Sequence, residues 1–198
     1  MTTAERTTDT EKQTGDRVDE SIIVERNAVL TAWTRVVAER LGYGLDEALS
    51  LAGAVGSLPY FQDPEGRGPA PQPHQVETMI DRENDPGIVR ERKAYVDIMQ
   101  RPVPVVVMRE GVRALSTPQR VVEPAGVASY LKRRLREHLE PTLGAMRQLA
   151  HAHPPAELAR RATELYTEFR AELHDEQVGW LPPAKLRLER VRSLVPST

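Results

Sequence analysis

Residues 103–116 read "VPVVVMREGVRALS". Four valines and a methionine run into Arg109-Glu110-Gly111, and Val112 and Leu115 follow. β-branched residues lose little on entering a pleated strand, and a glycine-bearing break between two such runs is the signature of a hairpin. The sequence therefore predicts two antiparallel strands turning at Glu110-Gly111. Pro102 and Pro104 donate no backbone hydrogen bond, so their strand lies at an edge or begins beyond them. This hairpin separates an α+β reading from an all-helical one, because most of the remaining chain has helical spacing.

Upstream, residues 34–56 read "TRVVAERLGYGLDEALSLAGAVG". Val29, Trp33, Val36, Val37 and Leu41 fall on one face of a helix predicted to begin near Ile22. Gly42 and Gly44 suit its C-terminal turn. Asp46 and Glu47 open the next helix, where carboxylates favour the positive end of the dipole, and Leu45, Ala48, Leu49, Ala52 and Val55 form its stripe. The outline is that of a helix-turn-helix. A DNA-reading helix needs cations for phosphates and donors for base edges. This one offers Asp46, Glu47 and Ser50, with no Lys or Arg between Arg40 and Arg67. Two packed core helices account for it better.

Downstream, Val127, Leu131, Leu135 and Leu139 form an i+4 stripe that Pro141 ends or kinks. Leu143, Met146, Leu149 and Ala150 carry the following helix. Pro155 suits the first turn of another, whose apolar face runs through Leu158, Ala162, Leu165, Tyr166, Phe169 and Leu173. Glu157 and Arg161 form an i,i+4 pair on it. A last amphipathic, basic stretch covers Leu186 to Val195. Residues 88–99 fit a helix loosely and a strand equally well. Residues 61–75, "FQDPEGRGPAPQPHQ", form an exposed Pro/Gly-rich loop, and a short helix with Val76, Met79 and Ile80 ends at "NDPG" (84–87). The expected fold class is α+β, predominantly α-helical, with a small antiparallel β-hairpin. Residues 1–21 carry a net charge of −3 and almost no apolar side chains, and are expected to be a disordered acidic tail. Residues 22–198 are expected to form a single helix-rich domain.

Composition narrows the function. The 198 residues carry a formal net charge of −2, 39% hydrophobic and 28% charged residues, and no cysteine. Thiol nucleophiles, disulfides and Cys-bound zinc are excluded. There is no apolar run for a secretory signal or a membrane span, so a cytoplasmic protein is expected. No phosphate-binding glycine loop, nucleophile elbow or HExxH pattern occurs. No cofactor is expected.

Three groups of residues remain as candidates. Lys132, Arg133 and Arg136, in "YLKRRLREHL" (130–139), lie together on a helical wheel opposite Leu131 and Leu135, with a local net charge of +3. Lys185, Arg187, Arg190 and Arg192 form a second basic cluster. Either suits phosphate contacts or a solvated helix face. Trp180, in "VGWLPP", is a core plug or an aromatic anchor for a partner. His151 and His153 could share a metal only if extended, with His138 or His174 as a further ligand. The first reading is a non-enzymatic interaction or regulatory protein that binds a protein partner or itself. Nucleic-acid binding through the basic residues is the second, and a metal-dependent enzyme the third.

The segments "AWTRVVAERLGYGLDEALSLAGAVGSL", "VPVVVMREGVRALS" and "ELARRATELYTEFRAELHDEQVGW" together resemble a group of small uncharacterised bacterial proteins, over roughly residues 28–195. The resemblance implies a bacterial, cytoplasmic, single-domain protein and assigns no functional residue.

Overall fold

Strands occupy more of the chain than one hairpin. The computed structural model describes residues 21–57, 92–116, 120–174 and 183–196. Strand β1 (Ser21–Glu25) leads into helix α1 (Arg26–Arg40), followed by α2 (Leu45–Ser57). Strands β2 (Arg92–Ile98), β3 (Arg101–Met108), β4 (Gly111–Ser116) and β5 (Arg120–Val121) come next. Helices α3 (Pro124–Leu135), α4 (Leu139–His151) and α5 (Pro155–Phe169) follow. Strands β6 (Glu172–Leu173) and β7 (Pro183–Arg187) and helix α6 (Leu188–Ser193) complete the described fold. It is α+β with two antiparallel sheets, ordered β1-β7-β6 and β2-β3-β4-β5. Ser21, the last residue of the expected tail, begins β1, while residues 1–20, the Pro/Gly-rich segment 61–75, the short helix expected around Val76 and the "NDPG" break lie outside the described residues.

The first expected helix is a strand where it begins. Helical order starts at Arg26, not Ile22. Ile22 and Val24 are buried while Ile23 between them is exposed, which is strand periodicity. Their cross-strand partners Leu186 and Ala184 are buried too. The amphipathic, basic stretch Leu186–Val195 therefore begins at the end of β7 and continues as α6. Leu173 does not extend the apolar face of α5; it sits in β6 and is exposed. Residues 92–98 resolve the ambiguity at 88–99 in favour of a strand.

The helix pair is fixed at both ends by backbone groups. After α1, the Gly42 amide donates to the Glu39 carbonyl (3.1 Å) and the Tyr43 amide to the Ala38 carbonyl (3.1 Å), with Gly42 at φ +101°. This is the Schellman closure that favours glycine. At the start of α2, Glu47 reaches back to accept from the Gly44 amide at 2.8 Å, as in half of a capping box. On α1, Trp33 is fully buried, donates its indole N–H to the Ala162 carbonyl (2.9 Å) and meets Phe169 edge-on at 5.2 Å. Against it, α2 presents small residues. A Cβ on Gly56 would lie 2.1 Å from the Thr31 hydroxyl, and one on Gly53 would lie 2.5 Å from Val127. The apparent reading helix is thus buried between α1, α3 and β4, as two packed core helices require.

The break after α3 comes earlier than proline chemistry alone indicates. Helix α3 ends at Leu135, and Arg136 takes φ 48° and ψ −126°. Pro141 ends nothing; it lies in the first turn of α4, where its missing N–H has no helical partner to lose.

Candidate interaction surface

The β2–β5 sheet is joined to the helices by side chains at both ends of β3. The turn between β2 and β3 is Met99-Gln100, with φ values of 54° and 58°. Two positive φ values mark a type I′ connection, normally an Asn-Gly position. Here tertiary contacts hold it instead. Met99 is buried, its carbonyl accepts from the Thr163 hydroxyl at 2.8 Å, and Gln100 donates to the Arg160 carbonyl at 2.6 Å. At the other end, Glu47 accepts from the Val112 amide at 2.8 Å. Those backbone donors, with Arg113 nearby, hold its carboxyl below the ordinary range. The Ser50 hydroxyl accepts from the Ala114 amide (2.9 Å) and donates to the Val122 carbonyl (2.7 Å), tying β4 to the chain after β5.

Hairpin parity fixes what each strand edge offers. A two-residue connection makes Ile98↔Arg101 a hydrogen-bonded pair, and Val96↔Val103 and Ala94↔Val105 follow. The N–H and C=O groups of Tyr95 and Asp97 therefore point away from β3. Among the described residues, nothing pairs with that outer edge of β2. Parity also explains the prolines. Pro102 and Pro104 turn their nitrogens toward the β4 side, where pairing begins only at Val105↔Ala114. The expected hairpin is present as β3 and β4, with its turn at Arg109-Glu110 and Gly111 already in β4.

The two faces of the sheet differ. Ile98, Val103, Val105 and Ala114 are buried, and Val96 and Val112 pack on the same core. On the other face, Tyr95 (41% exposed), Pro102, Met108 and Asp97 reach solvent. An open edge, an exposed tyrosine and a rigidly held strand thus come together at β2. The sequence pointed to an edge strand but placed it at the prolines of β3. The alternation in "AYVDI" (94–98) was the signal for β2 itself.

The basic candidates do not form one surface. Lys132 and Arg133 are exposed in the last turn of α3. Arg136 lies beyond the helix end, so the three do not share a helical face. Arg134, between them, is structural: it pairs with Glu25 at 2.7 Å and lies 5.9 Å from the Tyr130 ring. Burial and the neighbouring Glu25 push the Tyr130 phenol up to about 12. Of the second cluster, Lys185 and Arg187 are on β7, whereas Arg190 and Arg192 are on α6. Arg187 is exposed, and Arg190 is paired with Glu172. Trp180 lies outside the described residues.

The histidines are also apart. His151 is exposed at the end of α4, and His153 is buried with its Nδ1 3.3 Å from Glu157. Among the described residues, no group of three or more His, Asp or Glu side chains is placed to hold a metal ion. A cleft of about 240 Å³ lies beside His151. Its walls carry Glu39, Arg40 and Arg147, and Glu39 meets Arg147 at 3.8 Å. Among the described residues, no helix is long and apolar enough to cross a membrane. No protein-family profile, curated protein or solved structure matches the chain.

Proposed function

We propose that the protein is a non-enzymatic interaction or regulatory protein that binds a protein, a second copy of itself included, along the outer edge of β2. The observation that carries this reading is a strand edge left unpaired among the described residues, on a strand that Met99 and Gln100 lock to the helical core, with Tyr95 exposed at its centre. Unpaired strand edges recruit other strands through main-chain hydrogen bonds, with alternate side chains supplying selectivity. A photo-crosslinking residue in place of Tyr95, introduced in the cells that make the protein, tests it. A discrete covalent adduct is expected there and none from the same residue at exposed Glu168 on α5. No adduct at position 95 would refute the reading.

A second reading has one observation in its favour. Lys132, Arg133 and Arg136 are exposed, and among the described residues none of them forms an ion pair. On this reading they contact nucleic-acid phosphates, and Arg133→Ala with Arg136→Ala would lower the salt slope of binding by about two. Unchanged binding by the double variant would rule it out.

A further inference from the structure

The outer edge of β2 carries a charge pattern that selects its own partner. Outward hydrogen-bonding groups belong to the odd-numbered positions, so a second strand can pair only in registers that set odd against odd. Two copies of β2 meeting antiparallel about a two-fold axis have few such registers. Centring on Lys93 or on Asp97 sets like charges opposite each other. Centring on Ala94 or on Val96 leaves Lys93 and Asp97 without an oppositely charged partner. Centring on Tyr95 sets Lys93 of each copy opposite Asp97 of the other, twice, and uses the full length of Arg92–Ile98. Opposite charges directly across a strand pair are stabilising and like charges destabilising.

Resting on the reading that the β2 edge is an interaction surface, we infer that its occupant is a second copy of this chain. It pairs antiparallel with β2 against β2, the two-fold axis passing between the Tyr95 residues. Tyr95 meets Tyr95 on the exposed face, and Ala94 of one copy meets Val96 of the other on the core face. The two four-stranded sheets become one continuous sheet, closed by about six main-chain hydrogen bonds. Charges on an edge strand usually block such pairing. Of the three charges on β2, Lys93 and Asp97 are opposite and symmetric about Tyr95, so they select this register instead, with Arg92 falling opposite Ile98 of the other copy. The interface is isologous and therefore stops at a dimer.

Charge reversal tests the register. Lys93→Asp and Asp97→Lys each turn two attractive cross-strand pairs into two repulsive ones. Each variant alone is expected to weaken self-association, followed by sedimentation over a concentration series, roughly ten- to a hundredfold. Mixing the two restores both attractions, so the mixture is expected to form a heterodimer, and the double swap to recover the wild-type dimer. Recovery also shows that both single variants are folded. Tyr95→Cys adds a geometric check, since the chain has no other cysteine. Hydrogen-bonded antiparallel partners have Cα atoms about 5.5 Å apart, within disulfide reach, so mild oxidation should give a covalent dimer. A strictly monomeric wild type would overturn the inference. So would single reversals without effect, or a mixture that fails to associate. Self-association that ignores these charges, or an adduct at position 95 to a different protein, would sink the β2–β2 pairing alone. A chain that gives no adduct at all would remove the proposed function with it.

Discussion

Glu47 is the residue whose removal should be felt on both sides of the fold. Its carboxylate accepts the Gly44 amide at the start of α2 and the Val112 amide of β4, each at 2.8 Å. The Val112 bond is partly buried and charge-assisted, worth about 1.5 kcal/mol; the Gly44 bond is exposed and worth about 0.5 kcal/mol. Glu47→Ala should therefore cost about 2 kcal/mol, or about 4–8 °C in Tm. Glu47→Gln keeps one acceptor and should cost about half as much. The folded carboxyl lies below its ordinary value of 4.5. A depressed carboxylate contributes stability that is present above its unfolded pKa and lost as pH falls through the folded one. The gap between wild type and Glu47→Gln should thus be constant from pH 7 to about 5 and shrink below about 4. Urea unfolding followed by circular dichroism at several pH values measures both. A cost for Glu47→Ala below about 0.5 kcal/mol, against that estimate, would refute the reasoning. So would a gap for Glu47→Gln that persists unchanged in acid.

Other substitutions report on packing and strain. Gly56→Ala places a Cβ against the Thr31 hydroxyl and should destabilise by about 1–3 kcal/mol in urea unfolding. Arg136→Gly should stabilise by about 1 kcal/mol in the same assay, because φ 48°, ψ −126° suits glycine and the side chain is exposed; a loss would show that the side chain contributes to the fold. Trp33→Ala empties the contact with Phe169 and drops the hydrogen bond to Ala162. It should cost about 3–5 kcal/mol, read as a lowered urea midpoint.

What the sequence made legible follows its periodicity. Helices α1 and α2, the break at Gly42 and the start of α5 at Pro155 all follow from apolar spacing and caps. The β3–β4 hairpin was equally clear from its valines. Both sheets were undercounted because their other strands are short or carry non-local signals. Ile22-Ile23-Val24 is too brief to distinguish periods of 2 and 3.6, and its partner lies at 183–187. The Met99-Gln100 turn has neither glycine nor asparagine; Thr163 and Arg160 hold it from α5, and no local rule finds that. The basic residues looked like a face on a wheel that assumes α3 continues past Leu135. Arg136 shows where that assumption fails. Of the interaction surface, only the presence of an edge strand could be read from sequence. Its location on β2 depends on the register of the hairpin.

The most direct test of the β2 edge removes one outward donor and leaves the sheet intact. The Tyr95 amide points away from β3, so Tyr95→Pro leaves the β2–β3 ladder bonds in place. Tyr95→Ala controls for the lost side chain. Sedimentation velocity of the wild type and both variants, with thermal unfolding alongside, makes the comparison. The expected result is a wild-type dimer, a weakened dimer for Tyr95→Ala, and a folded monomer for Tyr95→Pro. A Tyr95→Pro protein that associates like the wild type would show that the outer edge of β2 is not the interface.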